Sequence, residues 1–231
     1  RIPLQHRTGN GIVYCSEFSD DQTAADILID NLPSSALSEP KNLRFKTGKR
    51  NKIWNKNCLS VGLASGFMEP LESTSIHLIQ STIMRFFSLF PHKKDFEVEM
   101  DYFNNSIDEE FKSIRDFLVL HYKLTTRDDS ELWNYCRNMK IPDSLREKLE
   151  LYTSGSWLER NGKELFGVDS WLAVLNGQNA KANGYNPLVD TLSESKLKKI
   201  MQETREVLAQ CSSSLPDHEQ FILDNCASKT Q

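Results

Sequence analysis

Glu72 sits in the stretch Gly66-Phe67-Met68-Glu69-Pro70-Leu71-Glu72-Ser73-Thr74-Ser75-Ile76-His77, whose residue types suit two kinds of chemistry at once. Ser73 and Thr74 are good helix-capping residues, and a carboxylate at a helix entrance is favoured by the positive end of the helix dipole. The first-turn amides, from Ser73 to Ile76, have no intrahelical acceptor, and such amides bind anions. A carboxylate able to handle a proton therefore stands beside amides able to seat an anion. The same residues also fit an ordinary capped core helix.

The element that must position them is a helix running from the mid-seventies. Apolar residues recur at Ile76, Ile79, Ile83, Phe86, Phe87 and Phe90, the spacing of one helix face. Pro70 lies just before the start, where its fixed φ is tolerated. Other candidate chemistry is weaker. There is no G-x-G-x-x-G after a strand, no P-loop and no G-x-S-x-G. The five histidines (His6, His77, His92, His121, His218) lack metal-ligand spacing, and no metal is expected. His77 reads as a structural histidine rather than a base. Arg127-Asp128-Asp129 reads as a salt-bridged turn and cap, and Lys49-Arg50-Asn51-Lys52 as a solvated turn. Trp157, Trp171 and Tyr185 suit either core packing or the lining of an aromatic pocket.

Further elements follow from local signals. Ile2–His6 and Gly11–Ser16 read as the arms of a hairpin turning at Gly9-Asn10-Gly11. Ser19-Asp20-Asp21-Gln22 reads as a capping box for a helix that ends at Pro33. Leu43–Gly48 alternates like a strand, and Cys58–Ala64 reads as a buried strand of small residues. A capping box at Ser106–Glu109 opens a helix through Phe111, Ile114, Phe117, Leu118 and His121-Tyr122. Shorter helices start at Asp129 or Ser130 and at Asp143. Five glycines punctuate a loop-rich stretch from 155 to 184, and Thr191–Glu194 caps a last clear helix. The expected class is α+β, predominantly helical, with a few strands that would complete a larger sheet. Residues 1–70 form a strand-rich part and 71–231 a helical part.

Composition narrows the function classes. The 231 residues are 39% hydrophobic and 26% charged, as in ordinary soluble proteins. A net charge of −4 argues against a nucleic-acid partner, and no apolar run is long enough for a membrane span. Five scattered cysteines without a C-x-x-C pair read as thiols in a reducing, cytoplasmic setting. The chain opens without a signal peptide or an initiator Met, as in a processed or partial sequence.

The block from Gly62 to His77 resembles the signature of flavin-dependent tryptophan halogenases. The opening Arg1–Gly11 resembles the stretch completing that family's W-x-W-x-I-P motif, without its tryptophans. Arg115-Asp116-Phe117, His121-Tyr122, Arg127-Asp128-Asp129 and Trp133 resemble the family too, and the likeness extends over most of residues 1–190. It implies that reduced FAD, supplied by a separate flavin reductase, and oxygen convert a bound halide such as chloride to hypohalous acid. That species then halogenates an electron-rich, indole-like aromatic substrate. By resemblance Glu72 is the catalytic glutamate, the amides of Thr74 and Ser75 hold the halide, and Leu63 and Ile76 touch the flavin.

The family's FAD-binding glycine motif and catalytic lysine precede the W-x-W-x-I-P motif. The chain therefore resembles the C-terminal portion of a halogenase, expected to be inactive by itself. By the same likeness, 1–70 would contribute to the flavin and substrate region and 71–231 to the substrate side. Asp169–Val174 lacks the adjacent tyrosines of members acting on free tryptophan, which leaves an indole, a phenol or a larger scaffold open. The family often has Gly where Ser75 stands. A non-halogenating flavin monooxygenase and a non-catalytic helical interaction module are the alternatives.

Overall fold

A computed structural model describes residues 1–4, 6–92, 95–160, 162 and 164–226. The helices are α1 (Asp21–Asp30), α2 (Ser75–Ser88), α3 (Glu97–Lys123), α4 (Glu131–Asn138), α5 (Asp143–Gly155), α6 (Val168–Gly177), α7 (Glu194–Ser214) and α8 (His218–Asn225). The strands are two residues each: β1 (Ile2–Pro3), β2 (Thr8–Gly9), β3 (Gly48–Lys49), β4 (Trp54–Asn55), β5 (Cys58–Leu59) and β6 (Gly66–Phe67). They pair antiparallel as β1 with β2, β3 with β6 and β4 with β5. The fold is α+β and predominantly helical, as the sequence implies.

The chain divides into two compact units, one of residues 40–184 and one of residues 1–39 with 185–231. In the 40–184 unit, α3 is the spine. Its Phe103, Ile107, Phe111, Ile114 and Leu118 pack with Ile53, Trp54 and Leu78 in one cluster. Its Phe117 and Leu120 pack with Leu145, Tyr152, Trp171 and Leu175 in a second. Asn104 fastens β4 to this spine: its Oδ1 accepts from the amides of Ile53 and Trp54, and its Nδ2 donates to the Trp54 carbonyl.

In the other unit, β1 and β2 pair Ile2 with Gly9 and Pro3 with Thr8, and the Leu4 amide donates to the Arg7 carbonyl. The expected arm over Gly11–Ser16 does not pair. The Phe18 and Ser19 amides instead fold back onto the Cys15 carbonyl, leading the chain into α1. Asp20, not Ser19, caps α1, accepting the Thr23 amide at 2.7 Å.

Several further expectations are corrected. Residues 43–47 are exposed and irregular, and only Gly48–Lys49 is strand. The Cys58–Ala64 strand is two residues long and gives way to a 3-10 turn over Gly62–Ala64. α3 begins nine residues before Ser106–Glu109, which lies mid-helix. α6 and α8 form where a loop and a polar tail were expected. Lys49 and Arg50 are engaged, Lys49 with Asp108 and Arg50 Nε with the Ala64 carbonyl.

Candidate active site

The loop carrying Glu72 is held from behind. β3 pairs Gly48 with Phe67 and Lys49 with Gly66. A Cβ on Gly66 would lie 2.7 Å from the Gly48 carbonyl oxygen, so only glycine lets these strands approach. The Arg50 amide donates to the Ser65 carbonyl, and Ser65 Oγ to the Gly62 carbonyl. The chain then passes Pro70 into a short 3-10 turn, Leu71–Ser73, closed by the Ser73 amide on the Pro70 carbonyl.

Inside that turn the backbone reverses hand. Glu72 has φ +63° and Ser73 φ +51°, two successive non-glycine residues in the left-handed region. Thr74 returns to φ −76° before α2 begins at Ser75. A left-to-right switch of this kind turns successive amides toward one concavity, a backbone nest suited to anions. Among the described residues no backbone acceptor takes the amides of Thr74 or Ser75. Thr74 is buried and Ser75 half-buried. Strained non-glycine geometry of this sort collects at functional sites.

Glu72 faces the end of α3. Its side chain is 36% exposed and its Oε1 lies 3.2 Å from His121 Nε2. His121 Nδ1 lies 2.8 Å from the Phe117 carbonyl oxygen. One residue on, the Tyr122 hydroxyl reaches both oxygens of Glu69, at 2.9 and 3.0 Å. Burial pushes the Glu69 carboxyl above its usual range, opposed by the Tyr122 hydroxyl and the His121 charge. Burial, then the Glu69 charge, raises the Tyr122 hydroxyl. Tyr122 stacks on Trp133, over which the Arg127 guanidinium lies 4.4 Å from the ring centroid. Arg127 in turn forks onto Asp129.

Leu63 and Ile76 flank this loop as exposed apolar side chains, 75% and 70% accessible. The structure thus puts Glu72, Thr74, Ser75, Leu63 and Ile76 on one loop-and-helix junction. The aromatic candidates separate: Trp171 is core, while Trp157 and Tyr185 are exposed. His77 lies 2.8 Å from Glu110, which also accepts from Arg85, a structural cluster between α2 and α3. Residue types alone missed Glu69 and the roles of His121 and Tyr122. The available signal was a second carboxylate three residues before Glu72 and a His-Tyr pair ending an apolar helix face. A polar groove of about 460 Å³, lined by Lys49, Asn51, Lys52, Asp101, Asn104 and Asp108, contains none of these residues. Among the described residues no group of three His, Cys, Asp or Glu could hold a metal ion, and no helix is long and apolar enough to cross a membrane.

A family model described as tryptophan halogenase matches residues 1–194. The chain is 38% identical, over 157 residues, to the tryptophan 6-halogenase of Streptomyces albogriseolus, an alignment covering 67% of this chain and 29% of the relative. A solved flavin-dependent halogenase from Xanthomonas campestris superposes with a TM-score of 0.88 at 38% identity, covering 94% of this chain and 44% of that one. One from Brevundimonas sp. BAL3 gives 0.81 at 37%, covering 89% and 42%. The chain therefore spans less than half the length of these relatives. With residues 1–194 matched by its model, the chain belongs to the tryptophan halogenase family.

Proposed function

We propose that this chain supplies the halide-seating and proton-accepting part of a flavin-dependent halogenase acting on an electron-rich, indole-like aromatic. The observation that carries the reading is the left-handed pair Glu72-Ser73, which sets a half-exposed carboxylate beside two amides lacking backbone acceptors. The amides of Thr74 and Ser75 hold the halide by charge-assisted hydrogen bonds. Leu63 and Ile76 offer apolar surface beside that seat, which fits one edge of a flat flavin ring. FAD, reduced by a separate flavin reductase, supplies with oxygen the oxidising power that turns halide into hypohalous acid. As the halogen of hypohalous acid bonds to a ring carbon, its bond to oxygen breaks and the oxygen leaves as hydroxide; the C–H proton passes to the Glu72 carboxylate as general base, and hydroxide and proton leave together as water. Residues 1–70 contribute to the flavin and substrate region and 71–231 to the substrate side. The scattered thiols fit a reducing cytoplasm.

Crystals of the chain soaked in bromide test the halide seat. An anomalous peak within hydrogen-bond reach of the Thr74 and Ser75 amides is the expected result, and an empty nest at saturating bromide refutes it. In a full-length halogenase carrying this segment, with flavin bound, Glu72→Gln is expected to lower halogenated product by about 10²–10⁴-fold, the range for a general base, with flavin absorbance retained. Full turnover by that variant would remove Glu72 from the reaction.

A further inference from the structure

We infer that Tyr122 is the positioning residue of the anion seat: its hydroxyl, bonded to Glu69, ties the end of α3 to the loop and fixes the left-handed turn that aims the Thr74 and Ser75 amides. That role rests on the halogenase reading above, whereas the brace itself can be measured without a halide.

The hydroxyl carries one hydrogen and stands 2.9 and 3.0 Å from the two oxygens of Glu69. So placed, it sets both the direction and the reach of that side chain. Burial raises the Glu69 carboxyl and this hydroxyl opposes the rise, the mark of a bond made to the ionised form. Tyr122 is itself fixed from the other side. Its ring stacks on Trp133, with centroids 6.1 Å apart, and the Arg127 guanidinium covers Trp133. The hydroxyl is thus offered by a packed helix end rather than by a free side chain.

Glu69 is where that bond reaches the loop. Next in the chain is Pro70, whose carbonyl accepts the Ser73 amide at 3.0 Å and closes the turn. Glu72 and Ser73 within it are left-handed without being glycine, a conformation that lasts only where its surroundings enforce it. Met68 and Leu71 pack on the Trp54 cluster and hold the apolar side of the loop. Apolar burial is non-directional, so it leaves the twist of the turn open. Among the described residues, the hydrogen bonds between α3 and residues 68–74 are the two from Tyr122 to Glu69. Bonds to a carboxylate add direction as well as energy. These two hold Glu69 and Pro70 in place while the chain crosses into the left-handed region and back.

Two amide measurements on the whole chain test this, in the wild type and in Tyr122→Phe, Glu69→Ala and Glu69→Gln. Tyr122→Phe keeps the ring on Trp133 and removes only the hydroxyl, and Glu69→Gln keeps an oxygen to accept from Tyr122. Exchange of the Ser73 amide with deuterium is expected to be about tenfold faster in Tyr122→Phe and Glu69→Ala, the scale of losing one hydrogen bond to a charged group. Glu69→Gln should lie closer to the wild type than to Glu69→Ala. Amides around the buried Thr82 of α2 should exchange as in the wild type, which separates loss of the brace from loss of the fold. Bromide affinity, titrated on the Thr74 and Ser75 amide resonances, is expected to fall by about tenfold in the same two variants. Tyr122→Phe combined with Glu69→Ala should be no weaker than either alone, as for the two ends of one bond. Additive losses in that double variant, equal losses in Glu69→Gln and Glu69→Ala, or no change in Tyr122→Phe overturn the inference. Were the wild type to ignore bromide, the halide reading would fall and the Ser73 exchange pattern would decide the brace. Were bromide to bind all the variants alike, Tyr122 alone would lose its role and the halide seat would stand.

Discussion

Ser73 shows how much of the site is backbone rather than side chain. Its φ of +51° follows Glu72 at +63°, and neither residue is Gly, Asn or Asp. A β-branched residue is worse suited to this region than serine. Ser73→Val is expected to cost about 1–2 kcal/mol, the per-residue penalty of left-handed geometry. For a chain of this length that lowers Tm by about 2–4 °C per kcal/mol, and bromide occupancy of the nest should fall with it. Glu69 gives a second prediction at this scale. Its folded pKa is raised above 4.5, so the native state binds its proton more tightly than the unfolded chain does. This group's contribution is therefore best below pH 4.5 and is lost as pH rises toward the higher folded value. Glu69→Gln removes that slope and keeps an acceptor for Tyr122. Denaturant melts should show the variant gaining on the wild type between pH 4 and pH 7; parallel curves would contradict it. At this scale the sequence exposed the carboxylate and the amides, since Pro70, capping residues and an apolar run are local signals. The left-handed pair was hidden because its residue types do not advertise it, and His121 was hidden because 49 positions separate it from Glu72.

α2 explains why periodicity finds an element more readily than its buried side. The helix is present where the apolar spacing places it, but Leu78 and Thr82 are its buried residues, and Phe86 joins the Trp54 cluster. Ile76, Phe87 and Phe90, counted on the apolar face, are exposed. α2 is apolar around much of its circumference, so a distant partner chooses the face. That partner is Glu110 on α3, a buried carboxylate that accepts from His77 and Arg85, one and three turns into α2. No pattern in a single segment encodes polar residues pointing inward to meet a charge 33 and 25 positions away. The same blindness placed a capping box inside α3, where Asn104 and Asp108 face β4 and Lys49 instead of ending a helix. Glu110→Ala would leave Arg85 mostly enclosed without its carboxylate. The expected loss is about 3 kcal/mol or more, as for breaking one side of a buried pair, read as a lower midpoint in urea. A change under about 0.5 kcal/mol, typical of surface sites, would mean the cluster is solvated and does not orient α2.

At the scale of the whole chain, the buried apolar residues are unevenly shared. Both core clusters lie within residues 40–184, whereas Ala24 is the buried apolar residue described in the other unit. α7 formed where the sequence predicted it, with Ser193 as its cap, yet none of its residues is buried. Ile200, Met201, Val207 and Leu208, apolar residues along it, are exposed. Helix existence was legible here because caps and periodicity are local, while burial depends on surfaces no local pattern names. Helices without buried contacts open at low free-energy cost, and proteolysis follows the population of such open states when closing is fast. Trypsin should therefore cut early after Lys41, Arg44 or Lys46, in the exposed irregular stretch, and within α7 at Lys196 to Arg205. A fragment spanning α2 to α6 should outlast α7, since Lys112, Arg115 and Lys148 lie on helices anchored by Phe103, Phe117 and Leu145, with Arg127, Lys140 and Arg160 between helices as its first nicking sites. Mass spectrometry of a time course identifies it. If Lys112 or Arg115 on α3 were cleaved as early as α7, the two clusters would not form the stable core, and the loop bearing Glu72 would have no rigid platform. If the fragment survives and still takes up bromide at the Thr74 and Ser75 amides, the candidate site belongs wholly to the 40–184 unit.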